Sequence, residues 1–531
     1  MNYLIRYAFA FIFVTIPICL TAQQHEIIFQ QCYGGSLTEA PYDIIVGDNS
    51  YYIVAGTSSL DGDVSFNHGK SDIWLYKIGL DGTIQWQNTF GGTQDETPRQ
   101  FLLTEDGGFL LFGNAWSTDG DVSGLHGGGD FWLVRTDSLG NLLWQKCLGG
   151  SCNDRPLQLI EAHGGGYICI GSTCSTDGDI AYNHGAWDAW VVRLSETGEI
   201  IWEKTYGGGG QDFAGSIAKT QDGGYILGTY GSSTDGDVDC IMYDTINVGD
   251  IRLIKIDSTG VIEWQDCYGG YDSEGLIEIE QTLDGGYVFL GVTISTGGDV
   301  SGFHGPGGDA NKWDMWVVKL DATGLIEWQK CLGGYENEQA GFIEQHPDGG
   351  YLVGGNSNST DGDINCNTSL PGTYTGWLVK LSASGEIVWQ RCLGSQVHNS
   401  LRTMKILGLE HYLIAGTTRA NGGDVDCDLK GQTDIWIVEL QDTTVGLKEE
   451  QQRQWQLYPN PASTQTWLQL AEHTALGHVQ IELYSPTGRL LHKAKPSNHY
   501  HKLDVTHLPK GLYLVRVWNG ESWYVEKLVV R

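Results

Sequence analysis

Ten aspartates recur in five copies of an Asp-Gly-Asp motif, which places two carboxylates one residue apart. Alternating carboxylates and backbone carbonyls are the oxygen ligands with which calcium loops begin. The motif lacks the late bidentate glutamate of an EF-hand, and the same residues also form turns in which Asp accepts backbone N–H groups. The motif therefore predicts either a calcium site or a structural turn. The ten residues are Asp61, Asp63, Asp119, Asp121, Asp177, Asp179, Asp235, Asp237, Asp361 and Asp363.

These motifs belong to a repeat of 58 to 64 residues that occurs seven times. Its markers are Asp-x-Trp and, further on, G-x-I-x-W-Q. Each unit holds four strand-length runs rich in β-branched and aromatic residues, bounded by Gly and Asp, and none shows the 3.6-residue apolar period of a helix. The tryptophans at the two marker positions are predicted to be packing residues.

Four antiparallel strands per unit, repeated radially, predict an all-β fold, a seven-bladed β-propeller over residues 23–441. The chain begins with a lone copy of the fourth strand, HEIIFQQCYGG from His25. The seventh unit stops at its third strand, DIWIVEL from Asp434. We therefore expect the N-terminal strand to complete the last blade, since a closed ring leaves no open sheet edge.

Loop lengths predict one functional face. The turns between first and second strands and between third and fourth strands are short, whereas the loops between second and third strands span about 13 to 21 residues and carry the Asp-Gly-Asp motifs. Histidine recurs seven residues after the first aspartate. Because these histidines fall on separate blades, they favour a local His–Asp hydrogen bond over a zinc or catalytic centre. They are His68, His126, His184 and His304.

The cysteines fall into two groups. Five occupy one position of the fourth strand, where they are expected to be small buried hydrophobic residues too far apart to pair with one another. They are Cys32, Cys147, Cys267, Cys331 and Cys392. Cys169 lies in a strand, and five more lie in or beside loops of one rim, where one or two disulfides are expected. These five are Cys152, Cys174, Cys240, Cys366 and Cys427.

Residues 1–22 resemble a secretory signal peptide, and no later apolar run approaches the ~20 residues that a membrane-spanning helix needs. The formal net charge is −34, and the segment after Glu450 is the basic exception. Such an acidic surface repels nucleic acid and anionic membranes and favours divalent cations or cationic partners. The composition therefore predicts a secreted protein without a nucleic-acid partner.

The repeat stops after Leu440, and residues 442–454 form a polar linker. Residues 455–531 alternate strands and turns, which predicts a small Ig-like β-sandwich. Four blocks occur in order: Tyr458-Pro459-Asn460-Pro461, Tyr484…Thr487-Gly488, Leu508-Pro509…Gly511-Leu512-Tyr513 and Lys527-Leu528-Val529-Val530. This tail resembles the type A C-terminal sorting domain of the Bacteroidetes type IX secretion system. The resemblance implies recognition by the type IX machinery, export across the outer membrane, and release or attachment at the cell surface.

Near-equivalent loops without a unique reactive constellation favour a binding protein over an enzyme. We expect an extracellular propeller that binds a glycan or a protein, with Ca²⁺ as its candidate cofactor; a purely structural surface component fits the same pattern. The alternative is a polysaccharide hydrolase or lyase with two carboxylates in the propeller funnel. Residues that break the repeat near the funnel would mark such a site, although their positions favour solvated loop ends. They are Arg99, Asp154, Arg155 and Arg402.

Overall fold

The computed structural model describes residues 25–240, 243, 249–408 and 410–442, together with 455–530 apart from 459–461, 463–464, 471–475, 486–489, 497 and 519–522. The predicted signal peptide and all but the first residue of the predicted linker lie outside these residues, as do parts of the first two tail motifs. The described residues form β-strands and one short 3₁₀ turn, Leu476–His478. Among them, no helix is long and apolar enough to cross a membrane.

Residues 25–442 form seven antiparallel sheets of four strands, which are the blades of a propeller. The first strands are β2 (Glu39–Val46), β6 (Glu96–Leu103), β10 (Asp154–Glu161), β14 (Asp212–Lys219), β18 (Glu274–Gln281), β22 (Glu338–Gln345) and β26 (Asn399–Gly408). The second strands are β3 (Ser50–Thr57), β7 (Phe109–Ala115), β11 (Tyr167–Thr173), β15 (Tyr225–Gly231), β19 (Tyr287–Thr293), β23 (Tyr351–Ser357) and β27 (His411–Thr418). The third strands are β4 (Asp72–Gly79), β8 (Asp130–Thr136), β12 (Asp188–Leu194), β16 (Asp250–Ile256), β20 (Asp314–Leu320), β24 (Thr375–Leu381) and β28 (Asp434–Asp442). The fourth strands are β5 (Ile84–Phe90), β9 (Leu142–Leu148), β13 (Ile200–Tyr206), β17 (Ile262–Tyr268), β21 (Ile326–Leu332), β25 (Ile387–Leu393) and β1 (His25–Tyr33).

The ring is closed by its N-terminal strand, as predicted. Strand β1 pairs antiparallel with β28, and Cys32 stands opposite Trp436 in the register. The first strand of each blade contacts the first strands of both neighbours, including β2 with β26, so the seventh blade meets the first. The sheet that contains the chain's first described residues therefore also contains the end of the seventh repeat.

Every first strand carries a β-bulge at its fourth residue, as between Pro98 and Gln100 in β6. A bulge adds one unpaired residue and redirects the side chains next to it. In six of the seven blades, the bulge residue and the residue after it both line a cavity on the axis of the ring, where a regular strand would present one residue.

The tryptophan of Asp-x-Trp is fully buried in six blades, and in the fourth blade Arg252 takes its place. The tryptophans of the fourth strands are half-buried and pack on the next blade. Gly140, in the turn of the second blade, has φ +78, and a Cβ there would stand 2.8 Å from the ring of Trp86 in the first blade. The predicted packing role is confirmed at both marker positions, because glycine lets the neighbouring ring approach the backbone.

Within the described part of the chain, four disulfides join Cys32 to Cys427, Cys152 to Cys174, Cys240 to Cys267, and Cys366 to Cys392. The predicted role as a buried hydrophobic residue is confirmed for Cys147 and Cys331, which are free, and is wrong for Cys32, Cys267 and Cys392. Each of the last three forms a disulfide with a cysteine in the long loop of its own blade. The spacing of these cysteines along the sequence does not show that the paired positions are close in space. In the blades of Cys147 and Cys331, the loop position that carries the partner cysteine in other blades is occupied by Gly124 and Gly302.

The C-terminal segment contains two further sheets, and its strands are β29 (Trp455–Tyr458), β30 (Gln465–Leu470), β31 (Gln480–Tyr484), β32 (Leu490–Ala494), β33 (Tyr500–Asp504), β34 (Gly511–Trp518) and β35 (Trp523–Val530). The sheet orders are β29-β30-β33 and β32-β31-β34-β35. Side chains from both sheets, among them Leu468, Ile481, Val515 and Leu528, form one buried core. This arrangement is the predicted small β-sandwich.

Candidate functional site

The long loops between second and third strands lie at the same end of the ring as the links between blades; we call this end the loop face. The backbone N–H of Asp121 donates to the carbonyl of Gly91 over 2.8 Å, and that of Asp63 donates to Gly34 over the same distance. Each Asp-Gly-Asp loop therefore covers the Gly-Gly link that enters its own blade.

The carboxylates of the Asp-Gly-Asp motif accept hydrogen bonds from this link. In the second blade, Gly91 N–H donates to Asp121 Oδ2 over 3.2 Å, and Thr93 N–H donates to Asp119 Oδ1 over 2.8 Å. Asp61, Asp177, Asp235 and Asp361 each accept a backbone N–H in the same way. These hydrogen bonds are those expected if the motif is a structural turn. Among the described residues, no group of three or more His, Cys, Asp or Glu is arranged to hold a metal ion. Calcium binding by these ten aspartates stays a prediction in which backbone carbonyls supply the remaining ligands.

The predicted His–Asp bonds are present. His68 Nδ1 lies 2.7 Å from Asp72 Oδ2, which also accepts the backbone N–H of His68. The equivalent pairs are His126–Asp130, His184–Asp188 and His304–Asp314. The hydrogen bond from His304 and the charge of Asp314 raise the pKa of His304.

The same histidines also reach the next blade, which the sequence reasoning missed. His68 Nε2 lies 3.4 Å from Asp121 Oδ2 of the second blade. Lys430, at the corresponding position of the seventh blade, places Nζ 3.0 Å from Asp63 Oδ2 of the first blade. The further contacts are His126–Asp179, His184–Asp237 and His304–Asp363. The equal sequence interval from His68, His126 and His184 to the second aspartate of the next motif was the available signal.

A pair of buried carboxylates flanks the first glycine of most links. A Cβ on Gly149 would stand 2.5 Å from Asp154 Oδ2 and 2.9 Å from Asp130 Oδ1. Both carboxylates therefore pack against the Cα of this glycine, where a side chain would not fit. Burial raises the pKa of Asp154 to about 6 and the pKa values of Glu274 and Glu338 to about 7. Asp154 is thus enclosed at a blade junction, where it accepts the N–H of Gly150, and is not a funnel residue.

A cavity of about 330 Å³ lies on the axis and is lined by residues of all seven first strands. Four carboxylates line it, those of Asp43, Glu278, Glu280 and Glu344. Burial raises the pKa of Glu278 and Glu280, and in Glu280 the neighbouring charge of Glu278 adds to the effect. Lys405 Nζ lies 3.6 Å from Asp43 Oδ1. Glu278 accepts the N–H of Ile343 and Glu280 that of Gln345, so both acids also tie the fifth blade to the sixth.

A second cavity, a groove of about 640 Å³, lies between the fifth and sixth blades near the loop face. Its aromatic side chains are Trp313 and Tyr374, each of which immediately precedes a third strand. Amide and charged groups surround them, while Ile277, Val292 and Ala340 supply apolar lining. This groove was not predicted from the sequence. The available signal was an aromatic residue directly before the third strand, a position that is not aromatic in most repeats.

The remaining funnel candidates lie on first strands. Arg402 lines the axial cavity, and its guanidinium carbon is 5.7 Å from the centre of the Tyr42 ring. The guanidinium of Arg155 stacks 4.3 Å above the ring of Trp187. Arg99 is the bulge residue of β6, and its buried Nε makes no hydrogen bond.

The comparisons with known proteins agree with this architecture. Residues 456–531 match the family described as the secretion system C-terminal sorting domain, which marks the chain as cargo of the type IX secretion system, exported to the cell surface or the extracellular space. No curated protein sequence matches the chain.

Several solved propeller-like structures are similar to the chain. The Neurospora crassa Pan2 WD40 domain has 11% identity and a TM-score of 0.40, over 75% of this chain and 88% of that one. A Dyadobacter fermentans protein of unknown function has 11% identity and a TM-score of 0.40, over 78% of this chain and 99% of that one. Puromycin hydrolase has 13% identity and a TM-score of 0.45, over 78% of this chain and 53% of that one. Likenesses at this level carry no statement about activity.

Proposed function

We propose that the exported protein binds an extracellular glycan through its loop face. The groove between the fifth and sixth blades is the observation that carries this proposal. Ligand sites are concave and combine apolar and aromatic lining with a few placed polar groups. Trp313 and Tyr374 offer flat apolar faces for the C–H surfaces of sugar rings, and Asn311, Gln339 and Asn358 offer amides for hydroxyl groups.

The aromatic residues of the groove are held in place by hydrogen bonds. The backbone N–H of Trp313 donates to Asn337 Oδ1 over 3.0 Å, and its indole N–H donates to the carbonyl of Ala310 over 2.7 Å. Asn337 Nδ2 donates to the hydroxyl of Tyr374 over 2.6 Å. A site that is already ordered loses little side-chain entropy on binding, so these contacts favour a rigid recognition surface.

A glycan array of the mature protein, followed by calorimetric titration of the best binder, tests this proposal. We expect W313A to weaken binding at least about tenfold, as truncation of a central aromatic anchor does. Tyr182 is an exposed aromatic residue on another blade of the loop face, at 63% exposure, so Y182A is the matched control. Binding that survives W313A unchanged, or that falls equally in Y182A, would place the ligand elsewhere.

The axial cavity favours a second candidate function, a polysaccharide hydrolase or lyase. Its supporting observation is the pair Glu278 and Glu280, whose raised pKa values suit proton donation near neutral pH. Release of reducing or unsaturated ends from polysaccharides is the assay. Activity that disappears in both E278Q and E280Q, with folding intact, would establish catalysis; activity that persists in both variants would exclude this pair.

A further inference from the structure

The groove between the fifth and sixth blades lies where a side chain that bonds neighbouring blades elsewhere is replaced by an apolar one. In the second, third and sixth blades, the penultimate residue of the second strand is polar and bonds to the first strand of the next blade. In the second blade, for example, Asn114 Nδ2 donates to the carbonyl of Asp154 over 3.0 Å. The same position of β19 in the fifth blade is occupied by Val292, whose side chain has no hydrogen-bonding group and lines the groove.

The bonds made in the other blades identify the backbone group that Val292 leaves without an acceptor. Ser172 Oγ accepts the N–H of Ala214 over 3.0 Å. Asn356 Oδ1 accepts the N–H of Leu401 over 2.7 Å. Both N–H groups belong to the third residue of a first strand, and in the sixth blade that residue is Ala340. Among the described residues, no side chain accepts the N–H of Ala340, which also lines the groove.

The N–H of Ala340 points toward the fifth blade. Two residues earlier in the same strand, the N–H of Glu338 donates to the carbonyl of Trp313 in the fifth blade over 2.7 Å. Backbone N–H groups two residues apart in a strand point to the same side. The backbone donor of Ala340 is therefore directed at the fifth blade, whose Val292 and Trp313 line the same groove.

An aliphatic surface accompanies this donor. Ile277 and Val292 of the fifth blade and Ala340 of the sixth blade all line the groove, and Ile277 is 36% exposed. A sugar hydroxyl placed against these side chains would lose its contact with water without gaining a partner for all of its hydrogen bonds. An acetamido group fits the combination, because its carbonyl oxygen accepts a hydrogen bond and its methyl group is apolar.

The charged side chains of the groove already have partners within the protein. Lys312 forms an ion pair with Glu336. Glu338 accepts the N–H of Gly334 over 3.1 Å and the hydroxyl of Ser357 over 2.7 Å. Burial raises the pKa of Glu338 to about 7, which favours its neutral form. The groove therefore favours a neutral group over an ion.

From this arrangement we infer that the glycan contains N-acetylhexosamine and that one acetamido group occupies the gap between β19 and β22. Its oxygen accepts the N–H of Ala340, and its methyl group packs on Val292 and Ile277. The inference rests on the proposed function, because it names the class of glycan that the groove binds. Trp313 stacks on a sugar ring of the same chain, as that function requires.

Calorimetric titration of the mature protein with three tetrasaccharides tests the inference. N-acetylchitotetraose and cellotetraose share one backbone, and the acetamido group of the first is a hydroxyl in the second. The chitosan tetramer has an amine at that position. We expect N-acetylchitotetraose to bind at least about tenfold more tightly than cellotetraose. The chitosan tetramer is also expected to bind more weakly, although the formal net charge of −34 attracts its amines.

Two variants test the position of the acetamido group. V292N introduces the amide side chain that Asn356 provides in the sixth blade, and it is expected to remove the preference by occupying the N–H of Ala340. T417N introduces asparagine at the same strand position of the seventh blade and is expected to retain the preference. I277S changes a partly exposed side chain, so it is expected to fold normally and to reduce the preference several-fold.

The outcomes distinguish the inference from the proposed function. Cellotetraose that binds as tightly as N-acetylchitotetraose, or an arrayed glycan without acetamido groups that binds more tightly, overturns the N-acetyl class and leaves glycan binding intact. Tightest binding by the chitosan tetramer would assign recognition to charge. A preference that survives in both V292N and I277S overturns the position of the acetamido group. A lack of binding by every tetrasaccharide and arrayed glycan overturns the proposed function itself.

Discussion

Removal of the Cys32–Cys427 disulfide is expected to destabilise the propeller more than removal of any local disulfide. This bond joins β1 to the long loop of the seventh blade across 395 residues, whereas Cys152–Cys174 spans 22. In the chain-entropy description, a disulfide stabilises by the loop entropy that it removes from the unfolded chain. That relation gives about 6 kcal/mol for the ring-closing bond and about 3 kcal/mol for the local one.

The measurement is guanidinium unfolding of C32A/C427A and of C152A/C174A, followed by tryptophan fluorescence. Each variant and the wild type are unfolded under both oxidising and reducing conditions. The reduced samples report the packing lost with the sulfur atoms, since no cross-link is present in them. The difference between oxidised and reduced losses is then the contribution of the cross-link alone.

The cross-link contribution should be about 3 kcal/mol larger for the ring-closing pair than for the local pair. Equal contributions would refute the reasoning, because they would mean that ring closure is already fixed in the unfolded chain or by β1–β28 pairing alone. A wild-type-like C32A/C427A variant under oxidising conditions would refute it outright. Cys147 and Cys331, which lack loop partners, show that the same strand position also tolerates a free thiol.

Two further predictions concern the buried acids and the Asp-Gly-Asp loops. Burial raises the pKa of Glu274 and Glu338 to about 7, so their contribution to stability is complete below the unfolded pKa of about 4.5 and is lost as pH rises through 7. E274Q and E338Q should therefore gain stability relative to wild type between pH 5 and pH 8, by up to about 3 kcal/mol each, in urea unfolding at both pH values; a pH-independent difference would contradict the assigned cause. If the ten motif aspartates bind calcium, CaCl₂ should raise the melting temperature by several degrees over EDTA, and identical melting curves would leave the motifs as turns.

Much of the fold could be predicted from regular features of the sequence, because each repeat carries its own strands, turns and packing residues. The position of Trp132 followed from periodicity alone, and so did the pairing of β1 with β28, since a lone fourth strand and a missing fourth strand complement each other. The sorting tail was identified from short motifs in a constant order, which need no knowledge of tertiary contacts.

Contacts between repeats were decided by the tertiary structure. Cys32 and Cys427 lie at opposite ends of the propeller sequence, and only ring closure brings their sulfur atoms together. The groove at Trp313 and Tyr374 forms between the fifth and sixth blades, from residues that are about 60 positions apart in the sequence. The repeat in the sequence determines the strands and the core of each blade. Packing across the whole ring determines how neighbouring blades are placed, and therefore which residues that depart from the repeat come into contact.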